Sequence, residues 1–420
     1  MVRQYAFTFL APLPTDRVDS LRNLLKKVNK EVEDNEWFPF LKMETIHFAR
    51  LLILEKIPSE QKKPHFYPYY LVFSTNYDGP LDVHLNDVVN TAGKGFREIF
   101  GYCENGPSEN STTEECISFL KQHSVYRAYF YIGTWGLSVS QIRHQEKVRQ
   151  LAEEYLDMRA SRVDPPEKIR QKMVTHFQNQ GLLGSFEPVT LPKFARSKIL
   201  LSGLVALFLL PIWLPLLIVA AVILLIHERL ERPFDFQRVN AQKTYEVANQ
   251  EDHIVQNQLT HLVEIKFSFF RRLLLKMVLS AIQFLAIFLF NKGKLGNIPT
   301  IHFARWVRID NGKRLLFFSN YDGSWESYLG DFIDKAAVGL TGVWSNSRWF
   351  PKTLLLLLFG ARDEQRFKAW TRFHQVYTDV WYSAYKTLSV RNILNNAKIY
   401  QGLQQPIMSR DEAQKWLSYF

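Results

Sequence analysis

Cysteine is nearly absent: Cys103 and Cys116 are the only two in 420 residues. They make neither a CxxC pair nor a disulfide framework, which fits a reducing compartment. Also absent are a P-loop, a spaced GxGxxG, GxSxG and HExxH, so the common phosphate-cradling, serine-nucleophile and zinc-protease chemistries have no motif here. No helix-turn-helix, zinc-finger or RNA-binding signature occurs, and nucleic acid is not an expected partner. Acidic residues are outnumbered, 41 against 52 Lys and Arg, for a net charge of +11. That balance suits anionic lipid head groups. Long apolar runs are scarce too. A hydrophobic fraction of 47% is ordinary for a globular chain and excludes a polytopic transporter. The N-terminal apolar patch, Tyr5 to Ala11, is soon broken by proline and does not read as a signal peptide.

One run stands out against this background. Ile199 to Ile226 carries no charge, and a stretch of that length reads as membrane-embedded. Pro211 and Pro215 sit near its centre. Lys193, Arg196 and Lys198 precede it, and Arg229 and Arg232 follow. Basic residues on both flanks suit a hairpin that enters and leaves by one face, turning at Pro211-Ile-Trp-Leu-Pro215. Each arm would be about 20 Å long at ~1.5 Å per residue, short of a full crossing. The alternatives are one kinked transmembrane helix and a buried soluble helix.

The chain is also duplicated. Thr45-Ile-His-Phe-Ala-Arg50 recurs as Thr300-Ile-His-Phe-Ala-Arg305, and Asn76-Tyr-Asp-Gly79 recurs as Asn320-Tyr-Asp-Gly323. Downstream, Leu137-Ser-Val-Ser-Gln-Ile142 matches Leu388-Ser-Val-Arg-Asn-Ile393. Each copy reads as strand, helix, strand, strand, helix, strand, the ferredoxin-like order. The expected fold class is α+β, with two tandem βαββαβ repeats forming a pseudo-dimeric α+β barrel around a central membrane hairpin. Residues 1–160 form the first repeat, 161–198 a polar helical connector, 199–226 the membrane segment and 227–252 a polar linker. Residues 253–405 form the second repeat, and 406–420 a tail. The stretch 269–290 is nearly all apolar, so it is either a second membrane contact or a core helix between the repeats. Leu354 to Leu358 reads as a further membrane contact or a buried strand.

The doubled elements hold the candidate site residues. Strand alternation sends His47, Ala49 and Leu51 to one face and Ile46, Phe48 and Arg50 to the other, with Ile46 and Phe48 under the helices. The same pattern holds around His302 and Arg305. His47 and His302 would then meet in a shared interior, either as metal or haem ligands or as hydrogen-bonded core histidines. Asp78 and Asp322 read as Asx turns capping the next helix, or as rim carboxylates for general acid–base work. Arg50 and Arg305 read as surface ion pairs, or as partners of those carboxylates or of an anionic ligand.

On the TIHFAR and NYDG segments, with YLGDFIDKAA and VWYSAY, the chain resembles a bacterial family of hypothetical membrane-associated proteins. More distantly it is similar to the dimeric α+β barrel superfamily of dye-decolorising peroxidases and chlorite dismutases. Their GxxDG loop is matched by Asp78-Gly79 or Asp322-Gly323 without its leading glycine. That resemblance implies a haem cofactor with His302 or His374 as axial ligand, Asp322 or Asp78 on the distal side, and a membrane-attached, peroxidase-like oxidoreductase. The alternative is a non-catalytic lipid or hydrophobic-ligand binding protein at the membrane surface. Both repeats are expected on the cytoplasmic side, because each open sheet needs its sister repeat, or a second copy in a homo-oligomer, to cover it.

Overall fold

The computed structural model describes residues 3–59, 65–126, 128–159, 164–184, 186 and 207–420. The part of the apolar run at 199–206, and its upstream basic flank, lie outside them. The fold is mixed α+β with antiparallel sheets. The first half contains β1 (Gln4–Leu13), α1 (Val18–Lys30), β2 (Ile46–Leu54), β3 (Tyr69–Asp78), α2 (Leu81–Phe100), α3 (Thr113–Gln122), β4 (Ala128–Ile132) and α4 (Val139–Arg159). Then come α5 (Pro166–Asn179), α6 (Leu210–Leu230) and α7 (Ala241–Ala248). The second half repeats the series as β5 (Gln256–Glu264), α8 (Phe269–Phe288), β6 (Ile301–Ile309), β7 (Arg314–Asp322), α9 (Trp325–Trp344), α10 (Glu364–His374), β8 (Val380–Ser383) and α11 (Val390–Gln404). The tail folds as α12 (Arg410–Leu417), whose Trp416 indole donates to Ile399 O at 3.0 Å.

The two halves exchange their last strands. The sheets run β1-β3-β2-β8 and β4-β6-β7-β5, so each half's fourth strand is an edge strand of the other half's sheet. The segments leading into them pair at home first. Val125 N donates to Thr8 O at 2.8 Å before β4 reaches β6, and Val376 N donates to Thr260 O at 2.9 Å before β8 reaches β2. Backbone hydrogen bonds therefore run in a circuit through both sheets, leaving few unpaired edges. Between the sheets lie Leu52, Leu54 and Val72 from one half with Val307, Leu316 and Phe318 from the other. Beneath the helices each half keeps its own aromatic-rich core.

Two expectations change here. Neither proline makes a turn: Pro211 sits in the first turn of α6, where its missing N–H costs nothing, and Pro215 is inside the same helix. The 21 residues of α6 span about 30 Å at ~1.5 Å per residue, and only Leu224 and Glu228 along it are buried. The helix is long and apolar enough to cross a membrane by length and composition. The face assignment of β2 and β6 also changes. A bulge at His47, matched by one at His302, inserts an extra residue and reverses the alternation beyond it. Ala49 and Leu51 therefore pack under the helices, while Phe48 and Arg50 turn inward.

At the crossing point Gly133 leaves no room for a side chain, since a Cβ there would lie 2.1 Å from Ile301 O. Gly133→Ala should destabilise the protein by about 2 kcal/mol or more, read as a lowered thermal midpoint; a midpoint unchanged within error would show that the crossing is loose.

Candidate functional site

The three repeated sequence motifs converge. Each NYDG ends a central strand in a turn whose glycine is left-handed, Gly79 at φ 88° and Gly323 at φ 81°, which explains the glycine. The preceding carboxylates are thereby fixed. Asp78 takes His47 Nε2 at 3.0 Å on one oxygen and accepts from Val139 N at 2.8 Å on the other. Asp322 takes His302 Nε2 at 2.6 Å and accepts from Val390 N at 2.8 Å. Each carboxylate thus caps the start of α4 or α11, where the helix dipole favours negative charge. These are not the helices that follow in sequence: α9 is capped by Ser324 instead. TIHFAR supplies the histidine, NYDG the carboxylate, and the Leu-Ser-Val segment the amide.

The two copies differ at the other ring nitrogen. His47 Nδ1 lies 2.9 Å from the Tyr385 hydroxyl, contributed by the opposite half. With Asp78 accepting at Nε2, the tyrosine is the donor to Nδ1 in the neutral ring. The matching position in the first half is Thr134, and neither its hydroxyl nor His302 Nδ1 has a hydrogen-bond partner among the described residues. Both histidines are buried in one aromatic cluster: the His47 ring centroid is 5.2 Å from Phe303, and that of His302 is 5.3 Å from Phe48. Sequence reasoning missed Gln4 and Gln256. Gln4 donates to Thr134 O and Leu137 O at 3.1 and 2.9 Å, while Gln256 donates to Tyr385 O at 3.0 Å and Leu388 O at 2.5 Å. The first strands diverge too far in sequence to have exposed that pair.

Arg50 and Arg305 are neither on the surface nor paired with the carboxylates. Both are buried between the sheets and donate into the opposite half. Arg50 reaches Thr260 Oγ1 at 2.9 Å, Leu259 O at 3.2 Å and Asn320 Oδ1 at 2.6 Å. Arg305 reaches Phe7 O at 2.9 Å and the Ser74 hydroxyl. Their guanidinium carbons sit 4.9 and 5.4 Å from the Phe318 ring centre, a shared cation–π platform. Burial lowers both to a pKa of about 9, Arg50 also through repulsion by Arg305, so both stay charged at neutral pH.

The spaces beside the arginines and beside His261 do not fit haem. A macrocycle needs on the order of several hundred Å³, whereas the space beside the arginines is about 10 Å³ and that beside His261 about 30 Å³. His47 has both ring nitrogens engaged. His374 bonds Trp370 O at 2.9 Å through Nδ1 and packs against His261 at 5.7 Å, and burial lowers its pKa to about 3.

A wider open space lies elsewhere. Beside Asp322, a cleft of about 1070 Å³ opens between the end of β4, the loop after α8 and the exposed side of α11. Trp135, Leu137, Leu394 and Tyr419 give it apolar walls, and Lys292, Lys294, Arg391 and Lys398 line it with positive charge. Among its lining residues the only carboxylate is Asp322, already committed to His302 and Val390.

Asp379, in the segment that crosses into β8, accepts from Ile53 N at 3.0 Å, and burial raises its pKa to about 6. The folded state therefore holds this proton more tightly than the unfolded chain, and stability falls as pH rises from the ordinary aspartate value through about 6. His84 and His374 act in the opposite direction. Burial lowers both to about 3, so they cost stability as pH falls below the ordinary histidine value. Asp379→Asn keeps an acceptor for Ile53 and should gain up to about 3 kcal/mol over the native chain at pH 7, with no gain at pH 4. Denaturant midpoints of the two proteins at both pH values test this, the histidine contributions cancelling in the difference; an equal gain at both pH values would contradict it. No family model, curated protein or solved structure matches this chain, so its function is read from this geometry alone.

Proposed function

We propose that the protein is a monotopic membrane-surface protein that binds an anionic amphiphile, on two tandem ferredoxin-like units closed into a pseudo-dimeric α+β barrel. The observation that carries the reading is the exposure of α6 on a body whose halves are interleaved. Leu216, Leu217, Ile218 and Val219 are each more than half exposed, and water is a poor solvent for such a helix. Because β4 and β8 are exchanged, the chain before α6 and the chain after it belong to one body on one side of a bilayer. A single full crossing between them would part the two interleaved sheets, which favours the monotopic reading. The apolar segment therefore enters and leaves by one face, although without the turn at the prolines.

Two further elements extend the same surface. At the C-terminal end of α6 the Glu228 carboxylate accepts from Thr353 Oγ1, Leu355 N and Leu356 N at 2.7, 2.7 and 3.0 Å. It thereby holds a hairpin whose tip exposes Leu357, Leu358 and Phe359. Leu355, Leu356 and Phe359 all have positive φ, a conformation costing about 1 kcal/mol or more for each such side chain. Strain at an exposed leucine tip is understandable if the tip is used. Glu231 pairs with Arg271 at 2.7 Å, joining α6 to the head of α8. Along α8, one face (Leu275, Leu279, Ala286) is in the core and the other exposes Phe269, Leu273, Met277 and Phe284. Arg229, Arg232, Lys276 and Lys352 are exposed on these elements or beside them, suited to anionic head groups. The exposed stripe of α8 leads to the loop bearing Lys292 and Lys294, which supports reading the cationic cleft as the head-group site.

The detergent-solubilised full chain should float with phosphatidylglycerol vesicles, and Leu358→Asp/Phe359→Asp should lower the floated fraction about tenfold. Lys292→Glu/Lys398→Glu should leave flotation intact while abolishing the thermal stabilisation given by short-chain phosphatidylglycerol. A chain that stays monomeric without detergent and ignores vesicles would overturn the reading.

A further inference from the structure

The barrel interior holds two positive charges with no negative one to meet them. Arg50 and Arg305 are each 2% exposed, and among the described residues neither has a carboxylate partner. Asp78 and Asp322 are turned to the histidines and helix starts instead. Repulsion between the two guanidinium groups adds to the desolvation cost, and no carboxylate appears among the charges acting on either. An uncompensated buried charge costs several kcal/mol, so two in one core call for a counter-charge. Both arginines line a small space of about 10 Å³, together with Ser74, Asn76, Phe318 and Asn320. Such a volume suits one water molecule or a single monatomic ion and has no room for a polyatomic anion. Arg305, which lines this space, has its Nε buried with no hydrogen-bond partner among the described residues.

We propose that this space is a binding site for a single monatomic anion, chloride, held between Arg50 and Arg305. The size of the space excludes phosphate, sulfate and carboxylates. A water molecule would accept from Arg305 Nε yet leave both charges uncompensated. The ion is structural: it binds the folded barrel and not the unfolded chain, and it draws together the two halves from which the arginines come. It is independent of the membrane reading, since the cavity lies between the sheets and away from α6 and the cleft.

The test is the denaturant midpoint of the full chain in chloride against gluconate at equal ionic strength. Above its Kd, chloride should raise the folding equilibrium constant about tenfold for each tenfold in concentration, with bromide acting alike and sulfate without effect. Crystals grown in bromide should show one anomalous peak between the Arg50 and Arg305 guanidinium groups. Because Arg50→Gln could simply fail to fold, the second variant is Asn76→Asp, which places a carboxylate at the wall and keeps the acceptor for Asn320 Nδ2, now 3.1 Å from Asn76 Oδ1. It should be at least as stable as the native chain in gluconate and should lose the chloride response. Equal midpoints in chloride and gluconate, or a water in place of the bromide peak, would overturn the proposal. So would a full chloride response in Asn76→Asp.

Discussion

The exchange of the last strand between the two halves is the constraint on which the rest of the structure depends. A four-residue strand, β8, and a five-residue strand, β4, each complete a sheet built otherwise by the opposite half. Neither half can then form its full sheet alone, and the inner faces of both sheets must meet. Bulges at His47 and His302 bring this about locally, by turning Phe48 and Arg50, and Phe303 and Arg305, toward the shared interior. The polar groups placed there are satisfied largely across the interface: Arg50 by β5 and β7, Arg305 by β1 and β3, and His47 by Tyr385. Such bonds contribute more by the penalty for losing them than by their net strength. They fix one register between the halves.

The His–Asp pairs follow from the same constraint. The chain must turn sharply after each exchanged strand to start α4 or α11, and that start needs a fixed acceptor. Asp78 and Asp322 provide it, the histidines hold the carboxylates, and Gln4 and Gln256 hold the preceding turns. A constellation that resembles acid–base machinery in the sequence is here a doubled joint. The cationic cleft opens beside one copy of that joint, at Asp322.

Much of this was legible in the sequence. The duplicated motifs located both halves, the alternation of β1 and β3 and the turn residues marked the strands, and the absence of charge marked α6. What was not legible has physical reasons. A bulge is one extra residue with no composition of its own, so the faces of Phe48 and Arg50 were inverted. Strand exchange leaves the order of elements along the chain unchanged, so pattern alone could not reveal that β4 pairs with β6. The prolines at 211 and 215 read as a turn, but the first occupies a helix start and the second is tolerated inside an apolar helix. Gln4 and Gln256 lie in strands whose flanking residues have diverged, and no motif pointed to them.

The interleaved sheets and the exposed helix underlie the proposal that both halves lie on one side, with α6 entering the membrane from that side. In a chain with Cys103 and Cys116 replaced, single cysteines at Glu109 and at Asn311 report one half each, both positions being exposed. Labelling of intact cells with a membrane-impermeant maleimide, compared with lysed cells, tests this claim most directly. The account predicts that the two positions respond alike, unlabelled in intact cells and labelled after lysis. Labelling of one position but not the other in intact cells would place the halves on opposite sides and contradict it.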